Sequence, residues 1–189
     1  MNISKINLPN KISLLRVILV PVFVFFLLLN KQNSIIYDLF ALIIFIGAAV
    51  TDGIDGYLAR KHRLVTNFGK IIDPLADKVL ISSALISFVA MDKISPWIVI
   101  IIIGRELAVT GLRVIVASEG TVIAASKWGK WKTNIQIFAV IGIIIDPGII
   151  NLPLYLSEIL LGAAVIITVV SGIDYFMKTD IDFFKEEGK

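Results

Sequence analysis

Long runs dominated by apolar residues alternate with short polar clusters along the whole chain. Six such runs lie at about 12–29, 35–59, 73–91, 95–117, 133–146 and 152–175. A helix of ~20 residues crosses a ~30 Å hydrocarbon layer, and backbone in lipid must satisfy its own hydrogen bonds. The short alternating strands typical of a membrane barrel do not occur. The pattern therefore predicts an all-α, polytopic integral membrane protein of about six transmembrane helices, built as one domain over residues 1–189.

Composition narrows the possible chemistry. The 189 residues are 57% hydrophobic, whereas soluble domains are usually ~45–50% apolar, and there is no cysteine. Disulfides, thiol nucleophiles and cysteine-ligated metals are therefore excluded, and a large soluble domain does not fit. Residues 1–11 are expected to form a short cytoplasmic segment rather than a cleaved signal, and 176–189 a cytoplasmic tail. The lipid bilayer is the expected environment, and no nucleic-acid partner is expected.

Lysine and arginine are distributed very unevenly across this six-span arrangement. Sixteen of the 18 basic residues fall on one side, and only Lys31 and Lys93 fall on the other. Basic residues mark the cytoplasmic side of membrane proteins. The count therefore predicts a protein of the cell membrane with both termini in the cytoplasm. The connector near 60–72 and the segment 118–132 would then lie on the same cytoplasmic side.

Four aspartates lie at the cytoplasmic ends of the second and third runs: Asp52, Asp55, Asp73 and Asp77. A carboxylate within a membrane span costs ~2.5–3.5 kcal/mol even on the lenient insertion scale, so four together require compensation. Spacings of three and four residues place each pair on one helix face. Because Pro74 follows Asp73, we expect Asp73 near the start of its helix. Four clustered carboxylates without cysteine predict a site for hard divalent cations, Mg²⁺ or Mn²⁺.

Small residues beside these aspartates leave space for a ligand or for close helix packing. Gly56, Ala59 and Gly69 lack bulky side chains, and either interpretation accounts for them. Arg60 favours a ligand, because a guanidinium binds phosphate oxygens in pairs. His62 is expected at the surface, and ordinary solvation is expected for four acidic residues near predicted span ends: Asp38, Asp146, Asp174 and Glu158.

The residues Asp52-Gly-Ile-Asp55-Gly56-Tyr-Leu-Ala59-Arg60, followed after eight residues by Gly69-Lys-Ile-Ile-Asp73-Pro-Leu-Ala-Asp77, resemble the signature of the CDP-alcohol phosphotransferase family. These membrane enzymes join a CDP-linked alcohol to a second alcohol and release CMP. Two more stretches, Asn7 to Arg16 and Gly104 to Arg113, resemble the members that make phosphatidylglycerophosphate. So does the stretch Ala125 to Thr133, although Trp128 and Trp131 depart from its common forms.

This resemblance implies roles for individual residues. Asp52, Asp55, Asp73 and Asp77 would hold two divalent metals, and Asp77 would also take the proton of the attacking hydroxyl. The site for CDP-diacylglycerol would include Gly56, Ala59, Arg60, Thr66 and Gly69. The phosphate of glycerol 3-phosphate would meet Arg105, Arg113, Lys127, Lys130 and Lys132, although the cytoplasmic bias of basic residues also explains these cations. A homodimer is implied as well.

Three alternatives stay open at this stage. Serine or inositol phosphate could replace glycerol 3-phosphate as the acceptor. An ion-coupled transporter also needs carboxylates within the membrane, although here they cluster at one boundary rather than at mid-depth. An inactive scaffold would not need the intact signature.

Overall fold

The computed structural model describes residues 8–29, 34–62, 67–118, 127–146, 149–150 and 155–177, without the side chains of 8–10, 52–62, 67–74, 77, 117–118, 127–128 and 130. Within these ranges there are six α-helices and no strand. They are α1 (Leu8–Leu29), α2 (Ile35–His62), α3 (Asn67–Ala90), α4 (Pro96–Ser118), α5 (Lys127–Ile145) and α6 (Leu156–Met177). The predicted all-α fold is confirmed.

The helices share one apolar core. Helix α1 packs on α2 and α3, α5 packs on α6 and α2, and α4 packs on α3 and α6. Buried residues from all six helices meet in this core, among them Phe23, Phe45, Phe88, Ile102 and Ile144, joined by Leu161. The rings of Phe23 and Phe45 have centroids 5.5 Å apart. A smaller cluster, Val109, Leu112, Val116 and Tyr175, joins the later part of α4 to the end of α6.

The outer surface of the bundle is apolar, whereas several polar side chains lie inside it. Large exposed hydrophobic residues occur on every helix, for example Ile18, Ile43, Ile86, Phe138 and Ile166. Fully buried polar residues include Arg16, Thr168 and Ser171. A soluble bundle shows the opposite arrangement, because polar groups are stabilised by water and apolar groups are not. The distribution is that of a membrane protein.

Individual helices meet the length and hydropathy expected of membrane spans to different degrees. The segments Lys11–Leu29 and Leu156–Met177 are long and apolar enough to cross a bilayer, with mean hydropathies of 2.8 and 2.2. The apolar segments of α2, α3 and α5 are shorter. Helix α4 has 23 residues, but its charged residues Arg105, Glu106 and Arg113 interrupt the apolar run. The number of spans and the side on which the termini lie stay predictions.

Helices α3 and α5 begin earlier than the apolar runs predict. Helix α3 begins at Asn67 and α5 at Lys127, whereas the runs start at about 73 and 133. Asp73 is therefore not near the start of its helix, and that expectation was wrong. Pro74 removes one hydrogen bond, to the carbonyl of Lys70, without ending the helix. Hydropathy locates the lipid-buried part of a helix, and polar turns beyond it are invisible to that signal.

Candidate active site

The four aspartates lie on two helices that pack against each other. Asp52 and Asp55 belong to α2, and Asp73 and Asp77 belong to α3. Because the backbone is helical at all four positions, residues three or four apart lie on one face, as the spacing predicts. Their side chains lie outside the described part of the structure. The donor set consists of carboxylates only, and its chemistry fits hard divalent cations.

Directly after Asp77, a polar cluster begins that joins three helices inside the bundle. It consists of Lys78 on α3, Arg105, Glu106 and Thr110 on α4, and Lys132 on α5. The ammonium of Lys78 donates to the hydroxyl of Thr110, and that hydroxyl donates to the carbonyl of Glu106 at 2.6 Å. Thr110 thus links α3 to α4 within the bundle.

Glu106 is the centre of the polar cluster. Its Oε1 accepts a hydrogen bond from the ammonium of Lys132 and lies 3.4 Å from Nη1 of Arg105. The side chains of Arg105, Glu106 and Lys132 are only 12%, 16% and 8% exposed. Charges this far from water interact strongly, because little solvent screens them. Glu106 therefore holds two cations from neighbouring helices close together.

The side chains of the polar cluster that the structure describes include more cations than carboxylates. Among the described side chains, Lys78, Arg105 and Lys132 contribute three cations and Glu106 contributes one carboxylate. The Nε of Arg105 is buried and has no hydrogen-bond partner among the described residues. A buried donor without an acceptor costs ~1–3 kcal/mol. The polar cluster is therefore suited to bind an anion that supplies additional oxygen acceptors.

A small cavity opens beside the polar cluster. Its volume is about 20 Å³, and it is lined by α3, α4 and α5 through Lys78, Ile81, Ser82, Ile102, Glu106, Lys132, Thr133 and Gln136. Gln136 is itself held by α6, since its Nε2 donates to Oγ1 of Thr168 at 3.1 Å. The cavity has room for about one water molecule, so a larger ligand would have to displace side chains.

Arg113 contacts a different helix from the polar cluster. It lies eight residues after Arg105, about 12 Å further along α4. Its Nε donates to the hydroxyl of Tyr175 at 2.8 Å, and its guanidinium carbon lies 5.2 Å from the centroid of the Tyr175 ring. Of the five cations predicted for the acceptor, the structure joins Arg105 and Lys132 through Glu106, whereas Arg113 is held by α6.

The other predicted site residues are described only in part. Gly56, Ala59 and Arg60 lie in α2, Gly69 lies in α3, and Lys127 and Lys130 lie in the first turn of α5, but their side chains are outside the described part of the structure. Thr66 lies outside the described residues altogether. The segment 118–132 was expected to lie between apolar runs on the cytoplasmic side, and its residues 127–132 belong to the start of α5. The long aliphatic stems of lysine can lie along a helix at the membrane boundary.

A family model with the description CDP-alcohol phosphatidyltransferase matches residues 6–170, which is most of the 189-residue chain. The chain belongs to the CDP-alcohol phosphatidyltransferase family. The resemblance drawn from the signature is thereby confirmed, and so is the prediction of an enzyme. Enzymes of this family generally use divalent metal ions. The transporter alternative has no support in these comparisons.

Curated bacterial relatives of the family are similar over nearly the whole chain. A Bacillus subtilis protein named CDP-diacylglycerol–glycerol-3-phosphate 3-phosphatidyltransferase is 46% identical, over 91% of this chain and 94% of its own length. A Mycobacterium tuberculosis protein named probable phosphatidylglycerophosphate synthase is 41% identical, over 89% of this chain and 79% of its own. A Haemophilus influenzae protein with the same name as the first is 40% identical, over 90% of this chain and 92% of its own length.

Several polar residues that the structure brings into this CDP-alcohol phosphatidyltransferase bundle were not predicted as site residues. Lys78, Glu106 and Thr110 join the polar cluster, and Arg16 of α1 is fully buried. Each charged residue of this group interrupts an apolar run, as Arg105 also does. Asp38 is 2% exposed, so the expectation of ordinary solvation was wrong there. It lies on the first turn of α2, and its Oδ1 has no hydrogen-bond partner among the described residues.

Proposed function

We propose that this protein transfers the phosphatidyl group of CDP-diacylglycerol to glycerol 3-phosphate. The 1-hydroxyl of glycerol 3-phosphate attacks the β-phosphorus, a new P–O bond forms, and the bond from that phosphorus to CMP breaks. The proton of the hydroxyl passes to Asp77, and the products are phosphatidylglycerophosphate and CMP. The reaction supplies the anionic phospholipid phosphatidylglycerol with its precursor.

The observation that carries this proposal is the buried guanidinium of Arg105 in the polar cluster. Arg105 and Lys132 lie against the Glu106 carboxylate, Lys78 joins the cluster through Thr110, and Nε of Arg105 lacks an acceptor among the described residues. The acceptor's phosphate is a dianion at neutral pH, so it would supply the missing charge and oxygens. The names of relatives 40–46% identical support the same substrates. Arg113, Lys127 and Lys130 would guide the acceptor from the cytoplasm.

The metal site would be formed by Asp52, Asp55, Asp73 and Asp77. When bound, two divalent ions, Mg²⁺ or Mn²⁺, would neutralise charge on the diphosphate and on the leaving CMP. Spacings of three and four residues within the helices α2 and α3 put each pair of positions on one helix face, and that spacing supports this assignment. Gly56, Ala59, Arg60, Thr66 and Gly69 would line the cytidine diphosphate, with Arg60 on its phosphate oxygens.

The protein would lie in the cell membrane with both termini and the site on the cytoplasmic side. The distribution of 16 among 18 basic residues supports this orientation. Glycerol 3-phosphate is soluble in water and CDP-diacylglycerol is anchored in lipid, so a site at the boundary gives both access. We also propose that the functional unit is a homodimer, as the family resemblance implies.

A side-by-side comparison of acceptors tests the proposed function. Purified full-length protein in mixed micelles receives CDP-diacylglycerol and Mg²⁺ or Mn²⁺, with glycerol 3-phosphate, serine or inositol phosphate as the acceptor. We expect CMP release and formation of phosphatidylglycerophosphate with glycerol 3-phosphate only. A parallel sample with EDTA should lose activity and regain it with excess Mg²⁺ or Mn²⁺, because four carboxylates without a metal repel one another and the substrate.

The possible outcomes test the acceptor, the metal site and the type of reaction separately. CMP release with serine but not with glycerol 3-phosphate would refute the proposed acceptor and leave the family unaffected. Full activity in EDTA would refute the metal site at the four aspartates. Uptake of an ion into vesicles without CMP release would contradict the proposed reaction itself.

Replacing Arg105 with Ala tests the acceptor site directly. The variant loses a charge-assisted contact to phosphate of ~1.5–3 kcal/mol, so we expect KM for glycerol 3-phosphate to rise about 10- to 100-fold. The KM for CDP-diacylglycerol should change little, because its phosphates lie with the aspartates. The measurement is CMP release at saturating CDP-diacylglycerol. An unchanged acceptor KM would assign Arg105 a purely structural role.

A further inference from the structure

Gly172 of α6 lies directly against the side chain of Arg105. A methyl group built at Gly172 would lie 3.0 Å from Cγ of Arg105 and 3.6 Å from its Nε. Carbon atoms in favourable contact are ~3.5–4.0 Å apart. Gly172 is buried in the contact between α4 and α6. The side chain of Arg105 therefore occupies space that is free only because residue 172 has no side chain.

The position of Cγ limits where the guanidinium can lie, because the rest of the side chain extends from that atom. Cγ is bonded to Cβ of Arg105, so it moves only if the side chain rotates about χ1 or if α4 separates from α6. Only two χ1 rotamers are common in a helix. A displacement of Cγ by a few tenths of an ångström is enlarged at the guanidinium, which lies further out on the side chain. A methyl group at residue 172 would therefore redirect the end of Arg105.

The guanidinium has a defined position that such a displacement would disturb. Its Nη1 lies 3.4 Å from Oε1 of Glu106, and its buried Nε has no acceptor among the described residues. Among the other described helical glycines, an added Cβ at Gly142 would lie 3.4 Å from Leu160, and four have no atom within 4 Å of an added Cβ: Gly47, Gly104, Gly111 and Gly162. The close contact at Gly172 is thus a property of that position and not of helical glycines in general.

We propose that Gly172 is a positioning residue for the acceptor site, acting through Arg105. Its missing side chain lets the stem of Arg105 lie against α6, so that Nη1 approaches Glu106 and the guanidinium is held in place for the phosphate of the acceptor. This inference rests on the proposed function of Arg105. It extends the acceptor site to α6, a helix on which the sequence indicates no site residue.

The variant Gly172→Ala tests this role, with Gly162→Ala as the matched control on the same helix. For Gly172→Ala we expect KM for glycerol 3-phosphate to rise about tenfold, the size of one weakened charge-assisted contact, with kcat and KM for CDP-diacylglycerol within about twofold. Gly162→Ala should leave all three constants within about twofold, because its methyl group meets open space. Both variants gain the same helix propensity, so the comparison isolates the contact with Arg105.

A double-mutant cycle identifies the partner. In the Arg105→Ala background Cγ is absent, so adding Gly172→Ala should change the acceptor KM by less than about twofold. An equal rise in both backgrounds would show that Gly172 acts through helix packing, and an unchanged KM in Gly172→Ala would also overturn the proposal. If Arg105→Ala alone leaves the acceptor KM unchanged, the proposed function of Arg105 fails first. The melting temperature of each variant in detergent shows that the protein compared is folded.

Discussion

Replacing Asp77 with Asn is expected to lower CMP release by about 10²- to 10⁴-fold, the usual contribution of a positioned general base. The amide keeps the shape of the carboxylate but cannot accept the proton of the attacking hydroxyl. It is also a weaker metal ligand, because it carries no charge. The reaction loses its proton acceptor and the metal site loses one negative charge, so kcat should fall far more than either KM rises.

The control for this variant is Asp92→Asn, the same chemical change in the turn that follows α3. Asp92 is exposed and has a φ of 56°, a left-handed conformation that Asn adopts readily. The Asp92→Asn variant should release CMP at the rate of the unmodified protein. Both proteins are compared by CMP release and by thermal unfolding in detergent. A rate near normal for Asp77→Asn would remove that residue as the base.

The sequence predicts the architecture well because a lipid environment leaves few options. A run of ~20 apolar residues in a membrane can only be a helix, and six runs became six helices within the described ranges. The positions at which α3 and α5 begin were predicted less well. Their first turns are polar, and hydropathy contains no information about whether polar residues continue a helix into the boundary region.

The sequence predicts which residues carry chemistry better than it predicts their contacts. Spacing along one helix indicates a shared face, so the aspartate pairs could be found. Contacts between helices depend on packing angles that no local pattern encodes. The bond from Lys78 to Thr110 joins residues 32 positions apart, and Gly172 and Arg105 lie on separate helices. Glu106 could be seen only as a neighbour of Arg105, although its main partner is Lys132.

The variant Glu106→Gln is expected to destabilise the protein by about 3–5 kcal/mol, the usual cost of removing one partner of a buried ion pair. Two buried cations, Lys132 and Arg105, would lose the carboxylate they share. Lys132→Met should cost less, because Glu106 then keeps Arg105 at 3.4 Å and methionine fills similar space. The double variant Glu106→Gln/Lys132→Met should be more stable than Glu106→Gln alone, since it removes both charges of the pair.

Stability and acceptor binding should separate in these variants. The double variant should recover part of the lost melting temperature. Its KM for glycerol 3-phosphate should stay about tenfold or more above normal, because Lys132, a cation proposed to bind the phosphate, is absent. Glu158→Gln, the same change at an exposed position, is the control and should alter neither quantity. Thermal unfolding in detergent and CMP release measure both. If Glu106→Gln melts like the unmodified protein, the ion pair does not stabilise the bundle, and a normal acceptor KM in the double variant would exclude Lys132 from the acceptor site.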